Sequence, residues 1–205
     1  DSWKRHFKPL NIRGKLLVRP DGIQAKAKPG QKLVVLNPGL SFGTGQHATT
    51  RYCLEQLVAA RQRPRQSLLD VGTGSGILAI AAAKLGYVPV KAFDFDSVAV
   101  QVAKENACRN RVSEKIRFAA GDINQLPRRA RVRYDVVCAN LFHDVLKANA
   151  EALITRVKPD GCLLLAGVLA EQFDGLKETF ESQRMRLARS RQQGEWRSGT
   201  FVHAT

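Results

Sequence analysis

The residues best suited to chemistry lie in one short string, Ser67-Leu68-Leu69-Asp70-Val71-Gly72-Thr73-Gly74-Ser75-Gly76-Ile77-Leu78. An apolar run ends in a carboxylate, glycine recurs at every second position, and an alanine-rich helical stretch follows. That order predicts a strand, a turn whose backbone can approach a ligand closely, and a helix. A dinucleotide turn needs the spacing GxGxxG, whereas Gly72, Gly74 and Gly76 are followed by Ile77. A carboxylate such as Asp70 at the strand end would also repel a pyrophosphate. S-adenosylmethionine (SAM) suits the turn better. It has no phosphate, and it offers a carboxylate to the turn's amides and a cationic amino group to an acidic neighbourhood. Asp70, Gly72, Thr73, Gly74 and Gly76 are therefore the expected cofactor turn.

Three further strand ends carry candidate groups. Asp94-Phe95-Asp96 closes the next apolar run. An acidic side chain about 20 residues past the glycines accepts hydrogen bonds from ribose hydroxyls. Asp94, with Phe95 beside it, takes that role, and Asp96 caps the following helix. Gly121-Asp122-Ile123 puts a carboxylate and an apolar side chain where an adenine would lie. Ala139-Asn140-Leu141-Phe142-His143 ends the fourth run. Asn140 there could accept a hydrogen bond from an attacking amine and orient its lone pair. It is not followed by Pro-Pro-Tyr, which counts against planar amide and nucleobase amino groups as acceptors. His143 could serve as a base or could open the next helix on the surface.

These residues need a scaffold that brings several strand ends together. Strands are expected at 67–70, 89–94, 116–120, 134–139, 161–166, 184–190 and 197–203, and helices at about 75–86, 97–109, 143–157 and 170–182. Pro159-Asp160-Gly161 reads as a turn between helix and strand. Strands alternating with helices predict an α/β, Rossmann-like fold with a mainly parallel seven-stranded sheet. The last two segments are joined only by Gln192-Gln193-Gly194-Glu195 and should form an antiparallel C-terminal hairpin. Residues 1–45 fall outside the alternation and read as an appendage of short antiparallel strands and linker, ahead of a main domain at 46–205. Between them, Asn37 to Thr50 is a glycine-rich loop leading into a helix, with Cys53, Leu54, Leu57 and Val58 at helical spacing. Such a loop lets backbone amides approach a ligand.

The formal net charge of +15 on 205 residues favours an acidic partner such as RNA or a ribosomal assembly, or else a solvated basic face. Basic residues cluster at Lys4-Arg5-Lys8, Arg61-Arg63-Arg65, Arg128 to Arg133, and Arg184 to Arg191. Cys53, Cys108, Cys138 and Cys162 form no CxxC pair, so a metal site is not expected; reduced thiols of a cytoplasmic protein fit them best. No apolar run approaches the roughly 20 residues of a membrane helix. The only methionine is Met185, which reads as a trimmed or processed chain.

Taken together, Phe42-Gly43-Thr44-Gly45-Gln46-His47-Ala48-Thr49-Thr50, then Leu69 to Leu78, then Asn140-Leu141, resemble the ribosomal protein L11 methyltransferase family. Leu165-Ala166-Gly167-Val168-Leu169 with Gln172 and the terminal hairpin are also similar. The resemblance covers nearly the whole chain. It implies a class I SAM-dependent methyltransferase fold and N-methylation of lysine side chains or a chain N-terminus on a ribosomal protein. It also implies that Phe42, Thr44, Gly45, His47 and Thr49 help build the cofactor pocket. The family usually has Cys where Thr73 stands, Ile where Leu141 stands, and a separate N-terminal substrate-binding domain not present in these 205 residues. The competing readings are an RNA methyltransferase, a non-catalytic SAM-binding module, and an NAD-dependent oxidoreductase.

Overall fold

The computed structural model describes residues 8–37 and 48–204. Seven strands form one sheet: β4 (Leu68–Val71), β5 (Val90–Asp94), β6 (Ile116–Ala120), β7 (Tyr134–Asn140), β8 (Val157–Leu169), β9 (Met185–Gln193) and β10 (Trp196–His203). Their order is β6-β5-β4-β7-β8-β10-β9. The five strands β6, β5, β4, β7 and β8 are parallel, while β10 runs antiparallel to both β8 and β9. The chain moves outward from β4 through β5 to β6 and then returns to β7 on the other side of β4. That reversal opens a crevice beyond the carboxyl ends of β4 and β7, the place where open α/β sheets bind ligands. Every residue of β4, and of β7 up to Ala139, is buried, as strands covered on both faces require.

Helices α1 (Ala48–Ala60), α2 (Ile77–Leu85) and α3 (Ser97–Arg109) precede β4, β5 and β6 respectively. In α2 every residue from Ile77 to Ala83 is buried, so this helix is apolar all round and lies inside the molecule. It is enclosed partly by a second, three-stranded sheet of β1 (Leu10–Ile12), β2 (Leu16–Pro20) and β3 (Lys32–Leu36). Ile12, Leu16, Val18, Val34 and Leu36 share one core cluster with α1, α2 and the main sheet. Asp96 caps α3 by accepting from the Val98 amide at 2.8 Å, as its position before Val98 predicts.

Three expectations are corrected. The small sheet is not purely antiparallel: β1 and β2 are, but β2 and β3 run parallel. The long link from Asp21 to Gln31 lets the chain return before β3 begins, and Gln31 holds that return by donating to the Leu16 carbonyl at 3.1 Å. The helix expected at 143–157 is two short ones, α4 (His143–Ala148) and α5 (Ala150–Ile154), divided at Asn149. The Asn149 side chain donates to Val145 O and to Asn124 Oδ1, both at 2.9 Å, so it competes for the backbone that a continuous helix would use. The turn Pro159-Asp160-Gly161 lies inside β8, as a bulge between the pairs Tyr134↔Val157 and Val136↔Cys162. A Cβ on Gly161 would come within 2.7 Å of the Asp135 carbonyl, so only glycine closes that bulge. Helix α6 (Ala170–Glu181) then leads to the β9–β10 hairpin. Among the described residues no helix is long and apolar enough to cross a membrane.

Candidate active site

The glycine turn leaves β4 with Gly72, Gly74 and Gly76 all in the left-handed region, at φ of 71°, 53° and 81°. A Cβ on Gly72 would overlap the Leu141 side chain at the tip of β7, so the turn and the fourth strand end close against each other. The amides of Gly72, Thr73, Gly74 and Gly76 all donate within the protein. The turn therefore presents close-approach backbone rather than the ring of free amides expected from the sequence.

Asp70 is 1% exposed and holds this turn from beneath. It accepts from the Thr73 hydroxyl at 2.7 Å and from the backbone N–H of Ala79 in the first turn of α2. Gly76, the residue before α2, has no capping side chain, so Asp70 supplies the cap from the neighbouring strand. Burial pushes its carboxyl up to about 6, against the pull of those two hydrogen bonds. Thr73 is buried with it.

Asp94 lies at the end of β5, next to the turn. Its two oxygens accept from the amides of Gly74, at 2.8 Å, and Asp96, at 3.1 Å. An ionised carboxylate has about four acceptor positions, so capacity remains for a diol. Phe95 beside it is 80% exposed. Asp122 follows β6 and accepts from the backbone and side-chain nitrogens of Asn124, both at 2.9 Å. Ile123, which follows it, is buried and belongs to the same core cluster as Val71 and Ala139.

Asn140 is half-buried at the tip of β7. Its side-chain nitrogen faces the Thr50 hydroxyl at 3.4 Å, which leaves its oxygen as an acceptor. Gly167 on β8, at φ 85°, makes room for it: a Cβ there would lie 3.1 Å from Asn140 Oδ1 and 2.6 Å from the Leu141 carbonyl. Thr49 is buried in the first turn of α1. Phe42, Thr44, Gly45 and His47 lie outside the described residues, in the segment that runs into α1. His143 opens α4 and contacts Asp144 at 2.8 Å, the helix-start alternative for that residue. Burial pushes the thiols of Cys53, Cys138 and Cys162 up, which keeps them protonated and poor nucleophiles.

Sequence reading did not find the residues that brace the site. Asn106 on α3 donates to the Ser75 carbonyl of the glycine turn at 2.9 Å and exchanges hydrogen bonds with the backbone of Asn37, at 2.9 and 3.2 Å. Four residues on, Asn110 does the same with Val35, at 2.8 and 2.6 Å. Their i, i+4 spacing in an amphipathic helix was the available signal: two buried amides on one face need partners.

The chain matches the family model described as "Ribosomal protein L11 methyltransferase (PrmA)" over residues 1–203. It is 41% identical, over 96% of its length, to the ribosomal protein L11 methyltransferase of Trichlorobacter lovleyi. The chain belongs to the ribosomal protein L11 methyltransferase family. Among solved structures, the ribosomal protein L11 methylase of Lactobacillus delbrueckii subsp. bulgaricus superposes with a TM-score of 0.85 at 25% identity, covering 96% of this chain and 98% of that one. A TehB-like SAM-dependent methyltransferase from Corynebacterium glutamicum shares the fold, with a TM-score of 0.58 at 19% identity over 74% and 87% of the two chains. The architecture is thus the class I methyltransferase fold. The chain spans 62–65% of the length of the curated L11 methyltransferases from Trichlorobacter lovleyi and Streptococcus agalactiae.

Proposed function

We propose that this chain carries the cofactor-binding and methyl-transfer site of a SAM-dependent enzyme that methylates amino groups of a protein. The acceptors would be lysine side chains, a chain N-terminus, or both, and the substrate is ribosomal protein L11, working in the cytoplasm. The observation that carries this reading is the convergence of the glycine turn, Asp94 and Asn140 on one crevice in an L11 methyltransferase chain. The residues suit SAM. Glycines at positive φ allow close approach, Asp94 retains acceptor capacity for ribose hydroxyls, and no basic side chain stands in the turn to demand a phosphate.

When bound, SAM supplies a methyl group on a sulfonium, an activated leaving group. The protein's part is then mainly to position the acceptor for in-line attack. Asn140 Oδ1, left free by the Thr50 contact, accepts a hydrogen bond from the amine and turns its lone pair toward the methyl. A lysine must arrive neutral, and removal from water favours that form by lowering its pKa. The buried thiols are held protonated and His143 faces Asp144, so solvent is the proton's destination. Phe42, Thr44, Gly45, His47 and Thr49 complete the pocket on the α1 side in this reading, with Asp122 bordering the adenine.

Replacing Asn140 by Ala is expected to lower turnover on the order of 10²-fold while SAM affinity stays within about twofold. Equal loss of turnover and cofactor binding would remove Asn140 from the acceptor's side of the site.

A further inference from the structure

Charge is distributed unevenly along the strand direction. The crevice lies at the carboxyl ends of the parallel strands, whereas the arginine-rich segments far apart in sequence enter the sheet at the opposite end. Residues 61–66 lead into β4, 111–115 into β6 and 127–133 into β7. Because β10 is antiparallel to both β8 and β9, β9 also starts at this end, preceded by Arg184. Hydrogen bonds anchor three of these segments to their neighbours at this end. Arg156 donates to the Pro127 carbonyl at 3.1 Å, Thr155 to the Arg128 carbonyl at 2.6 Å, and Ala204 to the Arg184 carbonyl at 2.8 Å; Arg63 contacts Asp160 in the β8 bulge at 2.6 Å.

Arg129, Arg131 and Arg133 before β7, Arg65 before β4, and Arg184 and Arg186 at the start of β9 are all exposed. Among the described residues none of these six makes an ion pair with an acidic side chain, and neither do the exposed Arg111 and Lys115 before β6. A second observation is independent of charge. Arg65, Arg111 and Arg184 stand at φ of 57°, 56° and 63°, in the left-handed region that favours glycine. Three turns at this end thus carry arginine where the backbone would be easier with none.

We propose that this end of the sheet is a docking face for double-stranded RNA, gripping phosphates and not presenting a base for methylation. Six inter-strand steps separate β6 from β9, about 29 Å at 4.8 Å each, so the face can span many phosphates. Its free cations are nearly all arginine, whose planar fork matches phosphate oxygens. The large exposed aromatics, Phe95 and Phe142, follow the carboxyl ends of β5 and β7, at the other pole. Among the described residues the large exposed apolar side chains at the basic end are Val88 and Val132, both aliphatic, so this face offers no aromatic stacking platform of the kind a single-strand binder uses. The six steps from Tyr134 to Asn140 put about 20 Å between the two poles, so RNA bound here is held away from the methyl-transfer site.

The test is fluorescence anisotropy of the full chain with a labelled 20-base-pair RNA duplex across a salt series. Tight, salt-dependent binding is expected, with log affinity falling linearly with log salt. Arg129→Glu/Arg131→Glu/Arg133→Glu should weaken it at least tenfold at 100 mM salt, whereas Lys104→Glu, on the exposed face of α3, should leave it within twofold. Arg65→Gly/Arg111→Gly/Arg184→Gly should also weaken binding while thermal unfolding shows a melting temperature unchanged or raised. RNA affinity indifferent to both triple variants would overturn the proposal. Binding to vesicles of anionic phospholipid with none to RNA would overturn it in favour of a lipid surface. Because no readout involves SAM or methylation, failure here would leave the methyltransferase reading intact.

Discussion

Asp70 and Asn140 illustrate how differently two polar positions at neighbouring strand tips can work. Asp70 is engaged inside the protein, by Thr73 and the Ala79 amide, and caps the turn from beneath. Asn140 keeps an oxygen free at the crevice. Gly167 couples that oxygen to the next strand. Gly167→Ala is expected to cost more than about 1 kcal/mol, because it forces a Cβ toward the Leu141 carbonyl at positive φ. Since it also displaces Asn140, turnover should fall more than SAM affinity, measurable by kinetics beside calorimetric titration of SAM.

Two buried carboxyls give opposite pH signatures. Asp70 is raised to about 6 from 3.8, so its contribution to stability is complete below about pH 4 and is lost as pH rises through 6. Asp135 accepts from the Ser67 amide and hydroxyl and from Lys158 at 2.7–2.8 Å. Although burial raises it, these contacts prevail and hold it down at about 2. Its contribution is complete above about pH 4 and is lost as pH falls toward 2. Urea melts from pH 2 to 7 should show Asp70→Asn flattening only the fall between pH 4 and 6. Asp135→Asn should flatten only the rise below pH 4 and cost about 2–3 kcal/mol at neutral pH. The same pH curve for wild type and variants would contradict both assignments.

Among the elements, those that alternate regularly were legible in the sequence because burial and period agree. The mainly apolar runs of β4 and β7, the alanine stretch of α2, and the short turn-rich link of the C-terminal hairpin carry their own signals. So did the strand-end positions of Asp94 and Asn140, since order along a doubly wound sheet decides which residues meet. What was not legible depends on distant partners. The break between α4 and α5 follows from Asn149 meeting Asn124, the β8 bulge from Gly161 closing on Asp135, and the parallel pairing of β3 from the return that Gln31 ties to Leu16. No local pattern encodes those contacts. Asn110→Ala would leave the Val35 N–H and carbonyl without these partners, for an expected loss of about 2–3 kcal/mol by chemical denaturation. Asn106→Ala should in addition weaken SAM binding, because it frees both the glycine turn at Ser75 and the chain at Asn37. Unchanged SAM affinity would limit Asn106 to holding the small sheet.

At the scale of the molecule, the two ends of one sheet have different work. In the proposed reading, the carboxyl ends of the parallel strands gather glycines, Asp94 and Asn140 into a crevice for a cofactor and an amine. The amino ends gather arginines supplied by separated segments, and this is where much of the +15 charge becomes a surface rather than a total. Placing those roles about 20 Å apart lets a polyanion be held without entering the reaction site. Methylation of a protein is the claim on which the rest depends. It is tested most directly by incubating the chain with methyl-labelled SAM, purified ribosomal protein L11 and ribosomal RNA in one reaction, then separating protein from RNA. The prediction is label in L11, stable as methylated lysine or methylated N-terminus on mass spectrometry, and depleted on the order of 10²-fold with Asn140→Ala. Label in the RNA with none in L11 would contradict it.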